Sequence, residues 1–147
     1  MKEYILLITL SFYVNSLYSQ NKMIEGRIID RNLESIMDVS IFYNDSICVG
    51  KSELSGSFQI EVPLLINKVS FSAVGWEQAD VELSDGCNFI ELIMIEDANY
   101  DMSPQKADKI RRKEYKKLTE LHKEAYRKGI FQSPEICYKR KFSEFCK

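Results

Sequence analysis

The chain has 147 residues, with 20 Lys+Arg against 22 Asp+Glu for a formal charge of −2, and 45% of its residues are hydrophobic and 12% aromatic. That is a globular composition of a size suited to one domain, and six Gly with three Pro exclude collagen-like or Pro-rich material. A single histidine, His122, excludes HExxH chemistry and any zinc site built on two or three imidazoles.

Residues 1–19 read as a secretory signal peptide. Lys2 precedes an apolar run from Tyr4 to Val14, too short for the roughly 20 residues a bilayer span needs, and Asn15, Ser16 and Ser19 then break it. Cleavage is expected after Ser19, leaving Gln20 first and a mature chain with no integral membrane span. Export would place Cys48, Cys87, Cys137 and Cys146 in an oxidising compartment, where an even count favours disulfides. Four cysteines leave three pairings open, and no CxxC spacing marks a redox or zinc site. Cys137 and Cys146 lie in a tail with little core of its own, and they are the pair expected to bond. Cys48 and Cys87 read equally well as small buried strand residues.

The mature chain divides by charge. Residues 21–100 hold 5 Lys+Arg and 14 Asp+Glu, a net −9, whereas residues 101–147 hold 14 and 7, a net +7. The acidic half carries seven short strand candidates: Met23 to Asp30, Val39 to Tyr43, Ile47 to Val49, Phe58 to Val62, Val69 to Ala73, Val81 to Leu83, and Phe89 to Ile95. Turn-forming residues separate them, among them Asn44-Asp45-Ser46, Ser55-Gly56 and Asp85-Gly86, and Pro63 closes the fourth. In Phe58-Gln59-Ile60-Glu61-Val62 the alternation is strict, so one face is apolar and the other polar. Seven half-buried strands in about 75 residues predict an antiparallel β-sandwich over residues 20–97.

Four pieces of this stretch also carry a resemblance. They are Glu25-Gly26-Arg27-Ile28-Ile29-Asp30, Met37-Asp38-Val39-Ser40-Ile41, Ser55-Gly56-Ser57-Phe58-Gln59-Ile60 with Val62-Pro63, and Phe71-Ser72-Ala73-Val74-Gly75-Trp76. In that order they resemble the carboxypeptidase-regulatory-like domains, with Leu54-Ser55-Gly56 where the family usually shows Thr-Asp-x-x-Gly and Trp76 where Tyr is common. The resemblance covers about half the chain. It implies a transthyretin-like sandwich of the kind found in Bacteroidetes-type bacteria on exported proteins and at the N-termini of TonB-dependent receptors. It implies a structural or binding role and no peptidase activity. Trp76 is expected to pack at the sandwich end, the functional alternative being a ring displayed for carbohydrate stacking.

Residues 98–147 form the basic extension. Ser103-Pro104 signals a helix start and Gly129 its stop, with Ile110, Leu118, Leu121 and Ala125 as a narrow apolar stripe. Beyond it, Ile130-Phe131, Ile136, Tyr138, Phe142 and Phe145 suit a short tail that folds back. Lys106 to Lys117 holds seven basic residues in twelve, including Lys109, Arg112, Lys113 and Lys116. Such a face can be a solvated surface, a dock for the acidic sandwich, or a contact for anionic lipid or glycan.

No nucleophile elbow, phosphate-binding loop or dinucleotide fingerprint occurs, and His122 reads as an exposed or semi-exposed helix residue. The expectation is a non-catalytic exported module, without cofactor or metal, in the periplasm or at the outer membrane. Its partners would be an envelope protein or polysaccharide, and no nucleic acid. The alternative is a structural protein whose basic helix docks on an envelope partner or an anionic surface.

Overall fold

The computed structural model describes residues 20–97 and 101–145; the expected signal peptide lies outside them. Among the described residues, eight strands form two sheets and one helix crosses the outside of the smaller sheet. The strands are β1 (Asn21–Ile29), β2 (Ser40–Tyr43), β3 (Ile47–Lys51), β4 (Ser57–Pro63), β5 (Lys68–Ser72), β6 (Ala79–Leu83), β7 (Phe89–Ile93) and β8 (Tyr138–Lys141), with helix α1 (Pro104–Arg127) between the last two. One sheet has the order β4-β1-β7 and the other β3-β2-β5-β6-β8.

Alternation along the strands builds the core. Ile24 and Ile28 of β1, Phe58, Ile60 and Val62 of β4, and Ile90 and Leu92 of β7 face Ile41, Val69, Phe71, Val81 and Leu83 of the larger sheet. Phe58 and Phe71 meet edge to face across the interior, their ring centroids 5.5 Å apart. Gly26 sits in the middle of this layer for a steric reason. A Cβ there would overlap the Ile90 carbonyl and lie 2.8 Å from the Phe58 ring, so only glycine lets β1 and β7 close over that phenylalanine.

Two features depart from the expected seven-stranded antiparallel arrangement. First, β1 and β7 run parallel, Glu25 opposite Phe89 and Ile29 opposite Ile93. Parallel neighbours require a long crossover, and the five intervening strands supply it. Second, the tail contributes β8, antiparallel to β6. Its register sets Tyr138 and Arg140 beside Leu83 and Val81 on the inward face, and Lys139 and Lys141 opposite Glu82 and Asp80 on the outer one. Charge complementarity across that edge favours the pairing. Burial raises the Asp80 carboxyl, but hydrogen bonds from Gln78 and Ser70 together with Lys68 and Lys141 outweigh it and hold Asp80 below its ordinary value.

Cys137 is disulfide-bonded to Cys87, in the loop before β7, and not to Cys146, which lies outside the described residues. The expected Cys137–Cys146 pair is therefore replaced. The reason is that the start of β8 is brought against the β6–β7 turn, where the Ser84 amide also donates to the Cys137 carbonyl at 3.2 Å. Cys48 is a free, exposed thiol on β3.

Candidate functional site

Three surfaces gather the residues that sequence reasoning singled out, and two of them are positioned by how α1 docks. The helix starts at Ser103, whose backbone carbonyl, with no contribution from its hydroxyl, accepts from the Lys106 and Ala107 amides. It stops in a Schellman motif: Gly129, at φ +71°, donates to the Tyr126 carbonyl, and Ile130 donates to that of Ala125. This turn drives Phe131 under the helix, where it joins Ala125, Ile29 and Ile93 in a second small core on the outer face of β1 and β7. Arg27 fixes the same turn by donating to the Ile130 carbonyl at 3.1 Å. Glu91 accepts from the Gln132 and Ser133 amides, which satisfies a carboxylate only 4% exposed.

The buried stripe of α1 keeps Ala125, with Leu118 and Leu121 partly buried against the second core, but differs from the expected one at Ile110. Ile110 is 37% exposed, and Ala107, Asp108, Arg111 and His122 join Ala125 on the buried side. Arg111 is the centre of this contact. It donates through Nε and Nη2 to the two oxygens of Glu77, in the β5–β6 connection, and through Nη1 to Asp108 and the Ser143 carbonyl, each at 2.8 Å. Its guanidinium lies 4.1 Å from the Phe145 ring centroid and 4.9 Å from that of Phe142. Tyr115 adds a hydrogen bond to Glu77 at 2.9 Å. Burial works against the Arg111 charge, but Glu77 and Asp108 more than restore it and hold its value above the ordinary one. Burial likewise raises the Tyr115 phenol, Arg140 opposing and Glu77 reinforcing the shift.

The first surface is the outward side of α1. Lys109, Arg112, Lys113 and Lys116 are all exposed there. Arg112 is engaged by the tail, paired with Glu144 and stacked 4.6 Å from the Phe142 centroid. Among the described residues, Lys109, Lys113 and Lys116 have no carboxylate at ion-pair distance, while Lys117, Lys123 and Lys128 pair along the helix with Glu114, Glu120 and Glu124. The helix thus docks on the sandwich through Arg111 and leaves Lys109, Lys113 and Lys116 exposed, with Lys106 and Arg127 likewise exposed and without an ion-pair partner among the described residues.

The second surface surrounds Trp76. The ring is partly buried against the main core, and its backbone bridges Glu96. Its outer side lines an open depression of about 550 Å³ shared with Phe42, Met37 and Val74 and rimmed by Asp38, Ser40, Lys51 and Ser72. Met37 is 52% exposed and Val74 fully so.

The third is a smaller cavity between α1, β7 and β8, lined by His122, Tyr115, Tyr138 and Arg140. His122, read from sequence as exposed or semi-exposed, is 2% exposed. Its signal was its position, four residues after Leu118 and three before Ala125, which places it on the stripe facing the sheet.

Among the described residues, no helix is long and apolar enough to cross a membrane, and no three His, Cys, Asp or Glu side chains converge as a bound metal would require. No family model matches the chain, and no curated protein matches its sequence.

Proposed function

We propose that the chain is a non-catalytic, exported β-sandwich module of the carboxypeptidase-regulatory-like kind that binds a polysaccharide of the bacterial cell envelope in the Trp76 depression. The observation that carries this reading is the exposed apolar pair Met37 and Val74 beside the half-buried rings of Trp76 and Phe42. A flat apolar wall of this kind stacks on sugar rings, and hydroxyl and charged groups at its rim can hydrogen-bond their hydroxyls. Trp76 is the chain's one tryptophan, so its fluorescence reports this site alone. Titration with soluble xylan, laminarin and peptidoglycan fragments is expected to shift that emission saturably for one of them. Val74→Glu, at an exposed position that leaves the core intact, should weaken the binding by about tenfold or more, a loss of about 1.4 kcal/mol. Emission unchanged by every member of the panel removes this reading.

The outward lysines favour a second reading, an assembly role through anionic surfaces. Arg112 is held by Glu144, so the centre of the field is carried by Lys109, Lys113 and Lys116, with Lys106 and Arg127 at its ends. In cosedimentation with phosphatidylglycerol vesicles at low salt, Lys→Glu at those three positions should abolish binding, and physiological salt should weaken it in the native chain. Equal binding by both proteins sets the surface role aside.

A further inference from the structure

Helix α1 covers only part of the smaller sheet. With Phe131 it seals the Ile29 and Ile93 end of β1 and β7, and it leaves open the part around Glu25 and Phe89, which lie opposite each other in the same register. A groove of about 470 Å³ runs there, lined by Glu25, Glu53 and Glu91 and by one cation, Arg27, whose donors are directed to the Ser55 and Ile130 carbonyls. Glu61 continues the acidic row on β4, opposite Met23 of β1. Glu25, Glu53 and Glu61 are exposed, with no cation at ion-pair distance among the described residues. Met23 is exposed and Phe89 partly so, which gives this face an apolar centre within an acidic rim.

The outward side of α1 is its complement. Exposed Ile110 sits among Lys106, Lys109 and Lys113, and Lys116 extends the row at helical spacing. These lysines cannot reach the groove of their own chain. It opens beyond the end of the helix, where Ile130 and Gln132 line it. At 1.5 Å per residue, Lys116 and Lys109 lie about 17 and 27 Å back along α1 from Arg127, farther than a lysine side chain extends. Two acidic faces set together would bring Glu25 and Glu61 against their own copies, and like charges repel; an acidic face against a basic helix meets no such penalty.

We propose that the acidic outer face of β1, β4 and β7 binds the Ile110-centred basic side of α1 from a second copy of this chain. The proposal rests on the reading of the outward lysines as an assembly surface and names what they meet. Because the two faces differ, the contact is head-to-tail. Each copy keeps one face free for the next, so assembly continues past the dimer into rings or short chains.

Sedimentation velocity tests this on the full mature chain carrying Cys48→Ser, so that the exposed thiol cannot link copies. At low salt the average mass should rise with concentration past that of a dimer, and association should be at least tenfold weaker at about 0.5 M salt. Two charge-reversed variants follow, one with Lys109→Glu, Lys113→Glu and Lys116→Glu, the other with Glu25→Lys, Glu53→Lys and Glu61→Lys. Each alone should be monomeric, and their equimolar mixture should associate to within about threefold of the native affinity. In parallel, a carbodiimide, which condenses a lysine amine with a carboxylate to an amide with loss of water, is applied to mixed ¹⁴N and ¹⁵N native chains. Mixed-isotope links should join Lys109, Lys113 or Lys116 to Glu25, Glu53 or Glu61, which decides the matter even if a variant fails to fold. A native chain still monomeric at about 0.5 mM and low salt overturns the proposal. So do an oligomer indifferent to either charge set, a mixture of folded variants no more associated than its parts, and links that avoid these residues. Vesicle binding through the lysines by a chain that stays monomeric leaves the anionic-surface reading standing and this proposal overturned; self-association without vesicle binding does the reverse.

Discussion

Arg111→Met is expected to destabilise the folded chain by about 3–5 kcal/mol, the range found when one member of a buried ion cluster is removed and its partners are left charged. Arg111 is 3% exposed and holds two carboxylates whose side chains are themselves 13% (Glu77) and 12% (Asp108) exposed. Neither has another cation at ion-pair distance among the described residues. Arg111→Lys should recover only part of the loss, since one ammonium cannot reach both oxygens of Glu77, Asp108 and the Ser143 carbonyl together. The triple change Arg111→Met, Glu77→Gln, Asp108→Asn should be more stable than Arg111→Met alone, because it removes the stranded charges as well as the pair. Urea unfolding followed by tryptophan emission measures all three. A loss below 1 kcal/mol for Arg111→Met would show that water reaches the two carboxylates and that the helix is held by its apolar contacts alone.

That cluster marks where the sequence stops being legible. The seven strands of the acidic half could be read because turn formers separate them and several, β4 most cleanly, bury one face, so that apolar and polar residues alternate. Phe58-Gln59-Ile60-Glu61-Val62 falls inside β4 as expected, and Gly129 ends α1 as expected. The parallel pairing of β1 with β7 could not be read, since periodicity tells which face is buried and not which strand lies alongside. β8 escaped because Tyr138-Lys139-Arg140-Lys141 has the composition of a solvated segment. Its strand character comes from the unpaired β6 edge and the facing carboxylates of Glu82 and Asp80. On α1 the apolar count favoured Ile110, while the sheet side was taken by Arg111 and His122. Both are polar residues that a buried position admits where hydrogen bonds meet them: Glu77, 34 residues away, takes Arg111, and the Ser133 carbonyl takes one ring nitrogen of His122. The basic run was visible as charge; that Arg111 turns inward while Lys109, Lys113 and Lys116 turn outward depends on the helix phase.

The disulfide is the second feature expected to have a large effect, because it closes the longest loop that tethers the tail. Cys87 and Cys137 are 50 residues apart, and the chain-entropy relation for a loop of that size gives about 4 kcal/mol of stabilisation. The loop encloses β7 and all of α1, so the bond holds the start of β8 at the β6–β7 turn whether or not the helix is docked. Cys87→Ser with Cys137→Ser should therefore lower the melting temperature by on the order of 10–20 °C. The loss should fall unevenly: amide exchange in Tyr138 to Lys141 should accelerate first, because β8 lies at the sheet edge and has only β6 as a neighbour. β4 and β1 should hold their protection until global unfolding. Reduction of the native protein should reproduce the effect, and Cys48→Ser, at an exposed free thiol, should not. Non-reducing peptide mapping supplies the check on connectivity, with Cys87 and Cys137 expected in one linked peptide pair. A Cys137–Cys146 linkage in that map, or a melting temperature indifferent to reduction, would mean that β8 is held by its backbone pairing and by Arg140 rather than by the covalent bond.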